Sequence, residues 1–247
     1  MRETPRKTIR KGGRAARLTE ARNKTGPTAF QQSTLIEKGA ANYTIEPSKE
    51  RVCVIACGAI ANEILDVVAI NGLEHISLTC LPATYHNTPE KIVPAMEQAI
   101  NDARKAGFGS VFCGYADCGT GGALDRLLER ENVSRLPGAH CYSFFSGVEK
   151  FEANNDKDMR SFFLTDFLAR HFDHLTWKPL GLDAHPELLA TYFGAYEKVV
   201  FLSQQEDPEL LERARKIAEK LNLSFEHRMT GYGDLKTSLI DPSLLNN

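Results

Sequence analysis

Three cysteines and two histidines stand where they could do chemistry: Cys57, Cys118 and Cys141, with His86 and His140. Each follows a short apolar run and is flanked by glycine, asparagine or another of the five. Three thiolates and an imidazole drawn from separate loops make a tetrahedral zinc set. The same donor types suit iron or an iron–sulfur centre. His86 and His140 compete for the nitrogen position. The densest stretch is Ser110–Gly122, S-V-F-C-G-Y-A-D-C-G-T-G-G. It reads as strand, glycine loop and helix, which puts Tyr115, Asp117 and Cys118 at a helix N-terminus. There the helix dipole favours a thiolate, so Cys118 could also act as a nucleophile with His86 or His140 as base. Tyr115 and Asp117 would complete such a catalytic group. Gly119, Thr120, Gly121 and Gly122 could bring backbone N–H groups to a phosphate or cofactor. The loop has neither the lysine of a P-loop nor the G-x-G-x-x-G spacing of dinucleotide binders.

These residues need a scaffold that carries them to one place, and the apolar pattern supplies it. Arg51–Gly58 is a continuous apolar run, as in a strand covered on both faces. A helix over 62–70, a strand over 76–81, a helix from Thr88–Pro89–Glu90 to Ala106 and the strand 111–113 follow. A helix over 123–130 and a fourth crossing over 135–142 complete the first half. Strands separated by single helices imply right-handed crossovers and a parallel sheet. The fold class is therefore α/β, a mainly parallel sheet with helices on both faces. All strand C-termini then share one rim, and Cys57, His86, Cys118 and Cys141 each lie just past a strand. Cys53, Cys80 and Cys113 fall inside strands and read as core.

The second half gives a strand over 161–165, a helix over 166–175, helical sequence over 186–196, a strand over 199–202, a helix over 207–221 and a final strand over 224–228. It reads as an added smaller lobe, so the α/β body spans 51–240 with lobes 51–150 and 151–240. Residues 1–50 read as a basic tail and linker, with a short helical piece near Ser33–Ala41.

The first 25 residues hold nine Arg and Lys against two Glu, a net +7, which leaves −9 for the remainder of a chain whose total is −2. An acidic body argues against nucleic acid as the main ligand. No apolar run approaches the roughly 18 residues of a membrane helix, and no secretory h-region is present. Six cysteines in 247 residues, set in strands and glycine loops, fit a reducing, cytoplasmic setting rather than a disulfide scaffold.

Several motifs together resemble the family called domain of unknown function 1638. They are A-C-G at Ala56–Gly58, Y-H-N-T-P-E at Tyr85–Glu90, G-Y-A-D-C-G-T-G-G at Gly114–Gly122 and H-C-Y-S-F-F-S-G at His140–Gly147. F-F-L-T-D-F-L at Phe162–Leu168, Y-F-G-A-Y at Tyr192–Tyr196 and T-G-Y-G-D-L at Thr230–Leu235 extend the likeness over 51–239. The resemblance implies a setting beside corrinoid-dependent methyl transfer, hence one-carbon metabolism, with a corrinoid protein or methyltransferase as partner. A corrinoid would enter only through that partner. The expectation is a metal-binding enzyme or accessory factor. The alternatives are a non-catalytic metal or cofactor module docking onto a methyltransferase complex, and a metal-free cysteine-dependent hydrolase or transferase.

Overall fold

A computed structural model describes residues 36, 37, 47–241 and 243. The basic N-terminal segment lies outside the described residues, as does most of the helical piece expected near 33–41. Of that piece Ile36 and Glu37 are helical, and Ile36 is buried in the core of the second half.

The α/β expectation holds, but the strands form two sheets. The first has the order β2-β1-β3-β4, from β1 (Val52–Cys57), β2 (Ile76–Leu81), β3 (Ser110–Gly114) and β4 (Ser134–Arg135), all parallel. The second runs β5-β6-β7, from β5 (Ser161–Thr165), β6 (Lys198–Ser203) and β7 (Ser224–Met229), also parallel.

The apolar run in β1 has the meaning its composition suggested. Val52, Val54 and Ala56 face one core, while Cys53 and Ile55 face another, because successive side chains alternate across a sheet. The first face is covered by α1 (Ala61–Asn71) through Ile64 and Val67, and the second by α2 (Ile92–Ala106) and α3 (Ala123–Glu131). Gly72 and Gly107 end α1 and α2 in the left-handed conformation expected of helix stops. Thr88 does not cap α2 with its side chain; Pro89–Lys91 makes a tighter turn first, and α2 begins at Ile92.

The fourth crossing is a correction. β4 has only two residues, and Pro137–Gly138 breaks the pattern. His140 and Cys141 therefore stand at the start of α4 (Cys141–Ser146), not at a strand end. α5 (Val148–Ala153) and α6 (Asn155–Asp158) lead into β5. Aromatic rings join α4 and α5 to the second sheet: Tyr142 stacks on Phe163 at 5.3 Å, and Phe151 lies 5.4 Å from it. Asp158 anchors α6 to the same sheet, accepting from Arg228 at 2.6 and 2.8 Å.

In the second half, α7 (Asp166–Phe172), α8 (Leu189–Phe193) and α9 (Pro208–Lys220) enclose Val199 and Phe201 of β6. The last helix, α10 (Gly233–Ile240), leaves this sheet. It packs on α1 and α4 and sends Leu235 and Leu239 into the core beneath β1. No helix among the described residues is long and apolar enough to cross a membrane.

Candidate functional site: a thiol-lined cavity at the strand ends

In the first sheet the order reverses at β1, with β2 on one side and β3 on the other. Parallel sheets leave a crevice at the C-terminal ends of such strands. At the floor of this one β3 lies so close to β1 that Gly114 leaves no room for a side chain: a Cβ there would stand 2.6 Å from the Cβ of Ala56. Above it lies a cavity of about 60 Å³, more than the roughly 10–15 Å³ that one water needs. Cys57, His86, Tyr115, Cys118 and Cys141 all line it. Thr165, Phe167 and Leu168, at the end of β5 and the start of α7, close it from the second sheet.

Four segments deliver these groups. Cys57 ends β1 and caps the turn Gly58–Ile60, its Sγ accepting from the N–H of Ala59 at 3.4 Å. His86 sits in the turn Ala83–Asn87, which Asn87 ties to the carbonyl of Leu175 at 2.9 Å. Cys118 takes a left-handed backbone (φ 50°) and its N–H donates to the carbonyl of Ala139 at 2.8 Å. That bond holds the glycine loop against the segment leading to Cys141, the first residue of α4.

His86 is close enough to His140 to disfavour the charge of His140. His86, however, lines the cavity, whereas His140 packs 5.2 Å from Tyr142 and 5.3 Å from Phe151, ring to ring. Burial, joined in His140 by the charge of His86, lowers both imidazoles below their ordinary range. His86 is nonetheless exposed at its outer edge.

The thiols differ from expectation. Burial, reinforced by the neighbouring Cys57, pushes Cys118 up to about 12. Cys57 and Cys141 are raised as well, by burial first; Cys118 and then Cys57 add to the effect on Cys141. The helix start does not favour a Cys118 thiolate, because the sulfur turns inward while another anion occupies the loop. That anion is Asp117, which accepts from the Thr120 hydroxyl at 2.7 Å, the N–H of Gly122 at 2.9 Å and the N–H of Gly121 at 3.2 Å. Burial works against its charge, but the N–H donors of Gly122, Gly121 and Gly119 and the Thr120 hydroxyl outweigh it and hold the carboxyl below its ordinary range. Two N–H groups that could cradle a phosphate are thus already engaged by the chain itself. Asp117→Ala is expected to cost roughly 1–2 kcal/mol, the scale of a lost cap. A thermal melt that leaves the variant as stable as wild type would remove this role from Asp117.

Tyr115 is 3% exposed. Its hydroxyl stands beside the Cys57 thiol, each disturbing the other's proton, without reaching hydrogen-bond geometry. The oxygen is buried with no partner. Zinc on three sulfurs and a histidine was the leading expectation. The donor types fit it, but among the described residues no group of three or more His, Cys, Asp or Glu is gathered around one point as a single ion requires.

A buried acid pair lies behind the cavity wall; the sequence offers Glu63 as a possible proton carrier, more in keeping with a structural role, and does not single out Asp166. Glu63 on α1 is 6% exposed and its Oε2 has no partner. Burial, then the charges of Asp166 and Asp66, raise it to about 8. Asp166, at the start of α7, is raised to about 6, again mainly by burial. Its Oδ1 accepts from the N–H of Gln204 at 3.2 Å, while Gln204 Oε1 accepts from its N–H at 2.9 Å. The signal for Glu63 was present: it lies three residues after Ile60 and four before Val67, on the helix face that meets the core.

Comparison with known proteins adds a family and no activity. No curated protein and no solved structure matches the chain. The family described as Protein of unknown function (DUF1638) matches residues 80–239. The match begins later than the motif likeness did and leaves Ala56–Gly58 outside it. Covering about two thirds of the 247 residues, and including the glycine loop, His86, Cys141 and the whole second sheet, it makes this chain a member of the DUF1638 family.

Proposed function

We propose that the cavity holds a soft metal centre through Cys57, Cys118 and Cys141, with His86 beside them, and that the protein serves one-carbon metabolism as an enzyme or accessory factor. The observation that carries this is convergence: three sulfurs and an imidazole from four separate segments line one mainly apolar cavity. Such a set has little use as free thiols. Burial, reinforced by the neighbouring Cys57, pushes the Cys118 thiol up, which disfavours the thiolate that a nucleophile needs. A soft cation changes this, because it displaces the protons and neutralises sulfurs that otherwise repel one another's charge. For the same reason the metal-free hydrolase or transferase is the weaker alternative.

The cavity also limits the partner. At about 60 Å³ it admits an ion, a small cluster or a few-atom substrate, and a corrinoid macrocycle is far too large. The corrinoid suggested by the family likeness would have to be presented by a second protein at the rim. The bound metal would supply Lewis acidity or thiolate activation. The chain's own residues shape the space, exclude water and keep His86 neutral and able to donate electrons.

Elemental analysis after anaerobic purification tests the reading. Wild-type protein should carry a stoichiometric transition metal, and Cys118→Ser should lose most of it. Wild-type protein that stays metal-free however it is prepared would end the proposal.

A further inference from the structure

We infer that the centre is polynuclear, an iron–sulfur cluster ligated by Cys57, Cys118 and Cys141. This rests on the metal reading above and sharpens it. The three cysteines come from different walls: the end of β1, the glycine loop and the start of α4. The cavity lies between them, with about 60 Å³ of room. One zinc ion, at roughly 2.3 Å per sulfur, would draw three thiolates around a single point and leave no such space. A cluster places iron and inorganic sulfide between its thiolates, so its ligands surround a volume rather than a point.

Two further features match. The rest of the lining is largely apolar, with Ile60, Ile92, Phe144 and Phe167 contributing, and exclusion of water is one of the levers that set a cluster's behaviour. Tyr115 also brings a buried hydroxyl that has no partner within the protein. A cluster bound at Cys57 would give that O–H a sulfur acceptor, and hydrogen bonds to sulfur are a second such lever. Three cysteines leave one corner without a thiolate. His86 on the cavity wall is the donor for it, as histidine replaces cysteine in some clusters.

The test is iron and acid-labile sulfide analysis, with an absorption spectrum and electron paramagnetic resonance, on the full chain made anaerobically with ample iron. About four iron and four sulfide per chain are expected, with a brown colour. Cys57→Ser, Cys118→Ser and Cys141→Ser should each lose them, while Cys80→Ala, whose thiol does not line the cavity, should keep them. Circular dichroism separates loss of the cluster from loss of the fold. Reconstitution of metal-free wild-type protein with ferrous iron and sulfide gives a second measurement that needs no variant. One zinc per chain without sulfide would overturn the cluster and leave the metal reading standing. Protein that takes up no metal in either preparation would sink both.

Discussion

Glu63→Gln is expected to remove most of a stability loss that the wild-type protein undergoes between about pH 4.5 and pH 8. The sign follows from the direction of the shift. Burial, followed by the charges of Asp166 and Asp66 and opposed in part by Arg170, raises the Glu63 carboxyl from 4.5 to about 8. Below pH 4.5 both folded and unfolded chains hold the proton, and the native state carries no penalty. As pH rises, the unfolded chain ionises first, and the folded protein loses about 1.4 kcal/mol per pH unit until Glu63 also ionises, on the order of 5 kcal/mol altogether. Asp166, raised to about 6, adds a loss of the same sign in the lower part of that window. Glutamine keeps the shape and has no proton to lose. Denaturant unfolding at pH 5 and pH 8 measures the difference. Wild type and variant losing stability in parallel would mean that Glu63 ionises in the native state as readily as in water.

The second large effect lies at Gly233, where α10 meets α4. Its φ is +47°, and a Cβ there would stand 2.2 Å from the carbonyl oxygen of Phe144 and 2.4 Å from that of Phe145. Gly233→Ala therefore carries two costs. The left-handed backbone is strained by about 1–2 kcal/mol for a residue with a side chain. The clash with two backbone oxygens cannot be relieved by a rotamer change and adds roughly 1–3 kcal/mol. Gly181→Ala is the control, since Gly181 has φ +71° with nothing within 4 Å of the added carbon. It should lose only the backbone share. Equal losses of melting temperature in the two variants would show that α10 does not press on α4 as described. Because Phe144 also lines the cavity, Gly233→Ala should weaken metal retention too.

Much of the scaffold was legible in the sequence because its signals are local. The apolar run at Val52–Ala56, the glycine stops at Gly72 and Gly107, and the position of Cys57 at a strand end all depend on near neighbours. The arrival of Cys57, His86 and Cys118 at one cavity follows from parallel strands sharing a rim, whereas Cys141 reaches it from the start of α4. What escaped was long-range. No pattern in Thr165–Leu168 announces that a separate sheet will close the same cavity, and nothing near Ile36 says that it will be buried in the same core as Phe167. The Cys118 thiol was misjudged for a related reason. Its helix start was visible, but the inward turn of its side chain and the filling of the loop by Asp117 depend on contacts with Gly138 and Ala139. His140 was placed at a strand end because an apolar run was read through Pro137–Gly138, where the chain in fact turns into α4.

The return of α10 to the first sheet has a consequence for biosynthesis. On the ribosome, β1, β2 and β3 emerge early, yet the surface under Val52, Val54 and Ala56 awaits Leu235 and Leu239. α1 covers much of that face at once, but for over a hundred residues of translation the part that α10 fills stays open, and nascent chains with such faces are clients for chaperones. The wall at Thr165–Leu168 is likewise made after Cys57, His86, Cys118 and Cys141, so the cavity closes only late in synthesis.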